Sequence, residues 1–338
     1  MTDGAAVARS SRPTGGVAAV LVAAAVWGTT GTATHFAPGV PAVVFGAVTF
    51  GLGGLLLAAT TGRSTLRALT RPGARRWVVL GAVSLVVYAV AFYAALADAG
   101  VSLGTTVAIG SSPLFAGLVE WVGDARRVTG RWVLATLVSV AGMVVVTLAR
   151  SEGDGSGALL LGLGSALLAG LTYATYSWAV ARGMRAAPSA VRVPLPVPGS
   201  APAPGGRGGR SGQGVIGAVF GLAAVPLVVL AIVTGRDALV VGSNWPVFLW
   251  LALVPTVLGH SLYAVGLRRV SASVATVLSL FEPVVAAVLA VLVVGERLGV
   301  VGWSGIGLVV AGLALLALPS RAGAAGGDPA APGPATSR

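Results

Sequence analysis

The chain has 338 residues, of which 56% are hydrophobic and only 9% charged, with a formal net charge of +12 at pH 7. So little polar surface excludes a water-soluble globule and places the chain in lipid. The lack of cysteine excludes disulfides, thiolate metal sites and thiol nucleophiles. The basic residues are scattered between apolar segments rather than along one face of a soluble domain, so nucleic acid is not an expected partner.

Apolar stretches of about 20 residues, each long enough for a hydrocarbon core of about 30 Å, recur along the chain between Arg, Gly and Pro clusters. This spacing predicts an all-α polytopic membrane protein with spans at 17–36, 40–60, 77–97, 101–122, 131–149, 158–180, 215–234, 246–267, 272–294 and 300–318. The first stretch, VAAVLVAAAVWGTTGTATHF, is long for a signal-peptide core and lacks a cleavage motif, so it reads as a retained anchor. Trp27 lies about ten residues into it, deeper than interfacial tryptophans, and is assigned to a central cavity; His35, at its far end, is interfacial.

Span three carries Tyr93, and span four carries Ser112 and Pro113. Span four opens with Gly100-Val101-Ser102-Leu103-Gly104, which fits the nucleophile-elbow pattern. It lacks the strand, turn and helix that an elbow needs, and no HExxH motif or phosphate loop occurs, so no enzyme is expected. Asp98 and Glu120 fall near span ends and read as solvated or capping carboxylates. Two segments rich in Pro and Gly, 182–214 and 319–338, are expected to be disordered, the first as a flexible linker between spans six and seven. Span seven holds Gly217 and Gly221 four apart, a spacing that permits close helix approach. Span eight carries His260 and Tyr263, and span nine carries Glu282 and Pro283.

All 22 basic residues are Arg, and with the amino terminus taken as cytoplasmic only Arg150, Arg236 and Arg297 fall outside. The positive-inside rule therefore predicts a bacterial inner (plasma) membrane protein with both termini cytoplasmic.

A shift of 170 residues superposes Tyr93-Ala94 on Tyr263-Ala264, Thr106-Val107 on Thr276-Val277, Pro113 on Pro283, and Val140-Ala141-Gly142 on Val310-Ala311-Gly312, without a gap. The matched prolines lie about ten residues into their spans, about 15 Å deep and close to the bilayer midplane, where each helix is predicted to break. Five spans being an odd number, the two copies enter the membrane from opposite sides as inverted repeats. The domain plan is a tail 1–16, a first five-helix repeat 17–149, a second at 158–318 interrupted by the linker 182–214, and a tail 319–338.

These residues resemble the drug/metabolite transporter superfamily, specifically tandem EamA-like domains. The strongest match is LGHSLYAVGLRRVSASVATVLSLFEPVVAAVLAVLVVGERLG, with Glu282-Pro283 and Gly295-Glu296-Arg297 as motif residues. The first half adds Trp27-Gly28, FYAALADAGVS around Tyr93, and Ser111 to Phe115; span six carries a weaker echo in Tyr173-Ala174. It departs from the pattern at Arg126, which stands where the second half has Glu296, and in its long linker. The resemblance implies ten helices, no prosthetic group or metal, and secondary transport of a small-molecule substrate, often export. Membrane lipid is an expected partner, protons are a candidate coupling ion and a second copy of the chain a candidate dimer partner. A non-transporting scaffold or sensor is the alternative.

A mid-membrane carboxylate costs about 2.5–3.5 kcal/mol on insertion scales. Glu282 therefore has two readings: it binds a substrate amine or a proton, or it braces backbone groups freed by Pro283. His260 is read as an interface residue, with a proton relay to Glu282 as the alternative. Tyr93 and Tyr263 occupy equivalent repeat positions and are read as packing the repeat interface with their hydroxyls satisfied, with symmetric lining of the pathway as the alternative. Arg297 and Glu296 are structural at the end of span nine. A carrier exposes Trp27, Ser112 and Glu282 to a central space, whereas a scaffold packs them.

Overall fold

The structure, a computed structural model, describes residues 14–148, 158–186, 207–295, 297 and 299–317. The described residues form helices joined by short connections, without strands. Eight segments are long and apolar enough to cross a membrane, and two shorter apolar helices, Gly130–Val146 and Val300–Leu316, occupy the places of spans five and ten. The protein is an all-α polytopic membrane protein. Its outward surface is apolar, with Leu160 85% and Val300 86% exposed, as a lipid-facing surface requires.

The first span divides into α1 (Thr14–Trp27) and α2 (Thr29–His35) at Gly28; the second is α3 (Ala42–Thr61). The stretch 61–76, read as a loop, holds a short helix α4 (Arg63–Thr70), and α5 (Pro72–Ala99) begins directly after it. Pro72 favours that start because a first-turn proline lacks only an N–H that has no helical partner. Next come α6 (Val101–Asp124), α7 (Gly130–Leu148) and α8 (Leu159–Ala186), followed by α9 (Arg207–Val240). Helix covers 182–186 and 207–214, parts of the expected linker, with Gly183 packed on Trp77 and Val215 and Gly214 on Ser64. The rest of that linker and the tail 319–338 lie outside the described residues.

The eighth span is composite, with α10 (Trp245–Leu251), a π-helical stretch Ala252–Gly259 and α11 (His260–Leu267). Pro255 explains the change of winding, since it offers no N–H to the Leu251 carbonyl. The Thr256 hydroxyl donates to that carbonyl instead at 3.1 Å, and also to the Thr49 carbonyl at 3.0 Å. The ninth span consists of α12 (Ala272–Leu278), α13 (Phe281–Leu289) and a π turn at Ala290–Val294; α14 (Val300–Ala317) is the tenth.

The two matched prolines behave differently. The ninth span breaks at Ser279–Leu280, where the Glu282 N–H donates to the Ser279 carbonyl at 2.9 Å and Pro283 sits in the first turn of α13. The fourth span does not break, contrary to the expectation, because the Ser112 hydroxyl donates at 2.8 Å to the Ile109 carbonyl that Pro113 leaves without an N–H partner. Ser112 and Glu282 are equivalents under the 170-residue shift, as are Ile109, Gly110 and Ser111 with Ser279, Leu280 and Phe281, so the residues before each proline differ between the continuous helix and the broken one.

Equivalent helices meet each other directly. A carbon added at Gly142 would lie 2.6 Å from the Gly305 carbonyl oxygen, and one at Gly312 would lie 2.7 Å from that of Ala135. Under the shift these contacts are the same contact, since Gly142 maps to Gly312 and Ala135 to Gly305. Between them the Ser139 hydroxyl donates to the carbonyl of its own equivalent, Val309, at 3.4 Å. The α3–α9 pair repeats this, with Gly51 on Val228, Gly54 on Ala224 and Gly221 on Ala58. In both pairs rising numbers meet falling numbers, so the equivalent helices are antiparallel.

Candidate functional site

Helix starts and ends place Thr14, Glu120, Arg131, Ala272 and Ala317 at one face of the bundle, the terminal face: Gly16 packs on Arg269, and the Arg131 guanidinium donates to the Leu316 carbonyl at 3.1 Å. Here Glu120 departs from its expected exposure at a span end. It is 2% exposed and accepts from the Ala272 N–H at 2.7 Å, the Ser273 N–H at 3.4 Å and the Ser273 hydroxyl at 2.6 Å. The Ser271 hydroxyl accepts from the Val274 N–H at 3.2 Å, so the first donors of α12 are satisfied by its own N-cap and by a carboxylate of the other half of the chain. Trp132 adds a bond from its indole N–H to the Ser273 carbonyl at 3.0 Å. The shift sends Glu120 to Ala290, Ser273 to Leu103, Arg131 to Val301 and Trp132 to Gly302. None of these side chains can form a hydrogen bond, so this clamp has no counterpart at the repeat-equivalent positions.

Beside it, Arg182 forms an ion pair with Asp124, donates to the Gly123 carbonyl at 2.8 Å and lies over the Trp77 and Trp178 rings. The Trp178 indole N–H donates to the second Asp124 oxygen at 3.1 Å. This cluster ties the ends of α5, α6 and α8 together.

Midway between the faces, the expected site residues fall into two groups. Trp27 is 7% exposed; its indole N–H donates to the Pro255 carbonyl at 2.9 Å, and its ring lies 4.8 Å from His260 and 5.2 Å from Tyr263. His260 shares the Pro255 carbonyl through Nδ1 at 3.1 Å and touches Phe50, Tyr176 and Phe220 as well. Tyr263 is fully buried and donates to the Ser177 hydroxyl at 3.0 Å. Ser112 is buried, while Tyr93 is half-buried against Gly46. Trp27, His260, Tyr263 and Ser112 are packed in this conformation, and His260 spends its ring nitrogen on a backbone carbonyl rather than on Glu282.

Glu282 belongs to the second group. It is half-buried at the start of α13, and its side chain accepts no hydrogen bond and forms no ion pair among the described residues. The bracing role is not what the structure shows, since the break at Pro283 is satisfied by backbone and serine hydroxyls. Glu282 instead stands within electrostatic range of Tyr88 and Tyr173, whose rings are 5.3 Å apart and both half-buried. Phe50 and Phe92 extend this wall at 6.1 and 5.6 Å from Tyr88. Gly28 lets the first span approach, for a carbon there would lie 2.9 Å from the Glu282 carbonyl oxygen and 2.7 Å from the Val285 Cβ. The sequence reading missed Tyr88, Phe92 and Tyr176. The i, i+4 spacing of Tyr88 and Phe92 and the i, i+3 spacing of Tyr173 and Tyr176 put each pair on one helix face and were the available signal. Glu296 lies outside the described residues, and Arg297 is exposed.

The EamA-like transporter family model matches residues 14–148 and 211–318, most of the chain. The chain belongs to the EamA-like transporter family. Membership makes it a membrane transporter, with a small-molecule substrate and a lipid surround. It is 30% identical over 313 residues to YwfM of Bacillus subtilis (strain 168), an uncharacterized transporter, covering 89% of this chain and 93% of that one. A solved crystal structure, 22% identical, shares the fold at a TM-score of 0.68 over 90% of this chain and 96% of that one. The EamA matches bracket both members of the α3–α9 and α7–α14 pairs, while α8 stands outside them.

Proposed function

We propose that this EamA-like protein is a secondary exporter of small metabolites or drugs, working by alternating access between two inverted five-helix repeats, 17–149 and 158–318, with Glu282 in the translocation pathway. The observation that carries the reading is Glu282, half-buried midway along the bundle and without a hydrogen-bond or ion-pair partner among the described residues. A charge there is costly in lipid, by about 2.5–3.5 kcal/mol, and a transported group or proton offsets that cost. The antiparallel packing of repeat-equivalent helices supports the mechanism: an inverted pair has two related ways of arranging its halves, each open to one side. The clamp of Glu120, Arg131 and Trp132 across the two halves favours a form closed at the terminal face. We assign that face to the cytoplasm of a cell with an inner (plasma) membrane, because arginine is concentrated there.

Coupling follows from the same carboxylate. Glu282 carries either a proton or the substrate, so substrate leaving toward one side is exchanged for a proton arriving from it. The test is flux from proteoliposomes loaded with a small-molecule extract of host cells, with and without an imposed pH gradient. Gradient-driven efflux lost in Glu282→Gln is the expected result. Efflux indifferent to the gradient removes proton coupling, and no efflux of any compound removes the transport reading. The competing reading, a non-transporting scaffold, is favoured by the close packing of Trp27 and Ser112; it predicts the last of these results.

A further inference from the structure

We propose that the site around Glu282 takes a monovalent organic cation, an ammonium carried on an aromatic or other apolar body. The inference rests on the reading of Glu282 as part of the translocation pathway and adds the substrate class to it. Three features set the class. The first is charge: every arginine among the described residues stands at a helix end or in a connection, so Glu282 is the lone carboxylate or guanidinium midway along the bundle among those residues, with the His260 Nδ1 bonded to a backbone carbonyl. An anionic ligand there would meet a carboxylate and no counter-charge, whereas one positive charge on the ligand balances the site.

The second feature is the ring wall. Tyr88 and Tyr173 both lie within electrostatic range of Glu282, with ring centroids 5.3 Å apart and planes tilted by 47°. Two half-buried rings in contact with each other and within electrostatic range of one carboxylate suit an ammonium, since the ring quadrupole attracts a cation lying over its face. The third feature is the apolar extension. Phe50 and Phe92 continue the wall on either side of Tyr88, and both are half-buried. They offer stacking area to the body of the ligand and no group that would select a second polar function.

The test uses the purified full chain in detergent and three small probes of matched shape: 2-phenylethylammonium, 2-phenylethanol and 3-phenylpropionate, each titrated by calorimetry. The ammonium is expected to bind at least tenfold tighter than the alcohol, and the propionate not to saturate. Glu282→Gln removes at least tenfold of the ammonium affinity and leaves the alcohol unchanged, and Tyr88→Leu weakens the ammonium selectively. Glu282→Asp keeps the charge, so it retains the ammonium preference and separates lost charge from lost folding. Equal affinity for the three probes, no saturable ammonium binding, or an ammonium affinity untouched in Glu282→Gln overturns the proposal. Proteoliposome efflux confined to neutral or anionic compounds also overturns the cation class while transport stands. Ammonium binding in a protein that moves nothing upholds the class and removes transport.

Discussion

Replacing Glu120 tests whether its clamp on α12 holds the terminal face shut. Its two short bonds, 2.7 Å to the Ala272 N–H and 2.6 Å to the Ser273 hydroxyl, are made by a carboxylate that is 2% exposed. Hydrogen bonds to charged acceptors contribute about 1.5–3 kcal/mol each. Glu120→Gln keeps the shape and one acceptor oxygen but turns an amide NH2 toward a donor, so roughly one such bond is lost. That loss falls on the closed form, where the contact exists, and shifts the closed-to-open ratio by roughly 10- to 100-fold. Glu120→Ala removes all three bonds and shifts it further.

The assay exploits a chain without cysteine. Thr276, fully buried one turn beyond Ser273, becomes the reporter as Thr276→Cys, labelled by an impermeant maleimide in vesicles that present the terminal face outward. Labelling follows the population of the open form, so Glu120→Gln should raise its rate about tenfold or more. An unchanged rate in a variant that still folds would refute the clamp as the closing element.

Four further outcomes follow from the packing. Gly142→Val and Gly312→Val place side chains against backbone at equivalent contacts of 2.6 and 2.7 Å, so each should lower stability by about 1–3 kcal/mol and by similar amounts, read as matched falls in thermal unfolding temperature. Gly28→Ala meets the Glu282 carbonyl and Val285, and should lower both stability and flux, whereas the same change at Gly31, with open space around it, should leave both unchanged. Ser112→Ala strands the Ile109 carbonyl beside Pro113 and should cost about 1 kcal/mol in a thermal melt. Trp27→Phe loses the bond to the Pro255 carbonyl, with a similar cost and with His260 still seated.

The spans and the repeat were legible because both are written in one dimension, as apolar length and as a fixed offset of 170 residues. The α7–α14 contact goes further, since Gly142 and Gly312 were already matched by that offset before their helices were seen to meet. Local hydrogen bonding was harder to read. Pro113 signalled a break, yet a hydroxyl one residue earlier kept the helix intact, and only a count of donors and acceptors around each proline reveals that. The register of α4 was hidden because five arginines between residues 61 and 76 look like a connection when its apolar face is not considered. Glu120 read as a solvated or capping carboxylate; it caps α12 and is buried there, and depth along a span did not reveal those partners because they lie 152 and 153 residues away. Glu282 was legible from its depth in the span, a carboxylate where lipid makes charge costly, but the pairing of Tyr88 with Tyr173, from α5 and α8, needed the fold to bring it about.

The most direct test of the central claim compares small molecules outside and inside cells expressing the wild type, Glu282→Gln or an empty vector. The account predicts a compound, cationic at neutral pH, that accumulates outside with the wild type and not with the other two. Identical profiles in all three, with the wild-type protein shown to be in the membrane, would contradict it.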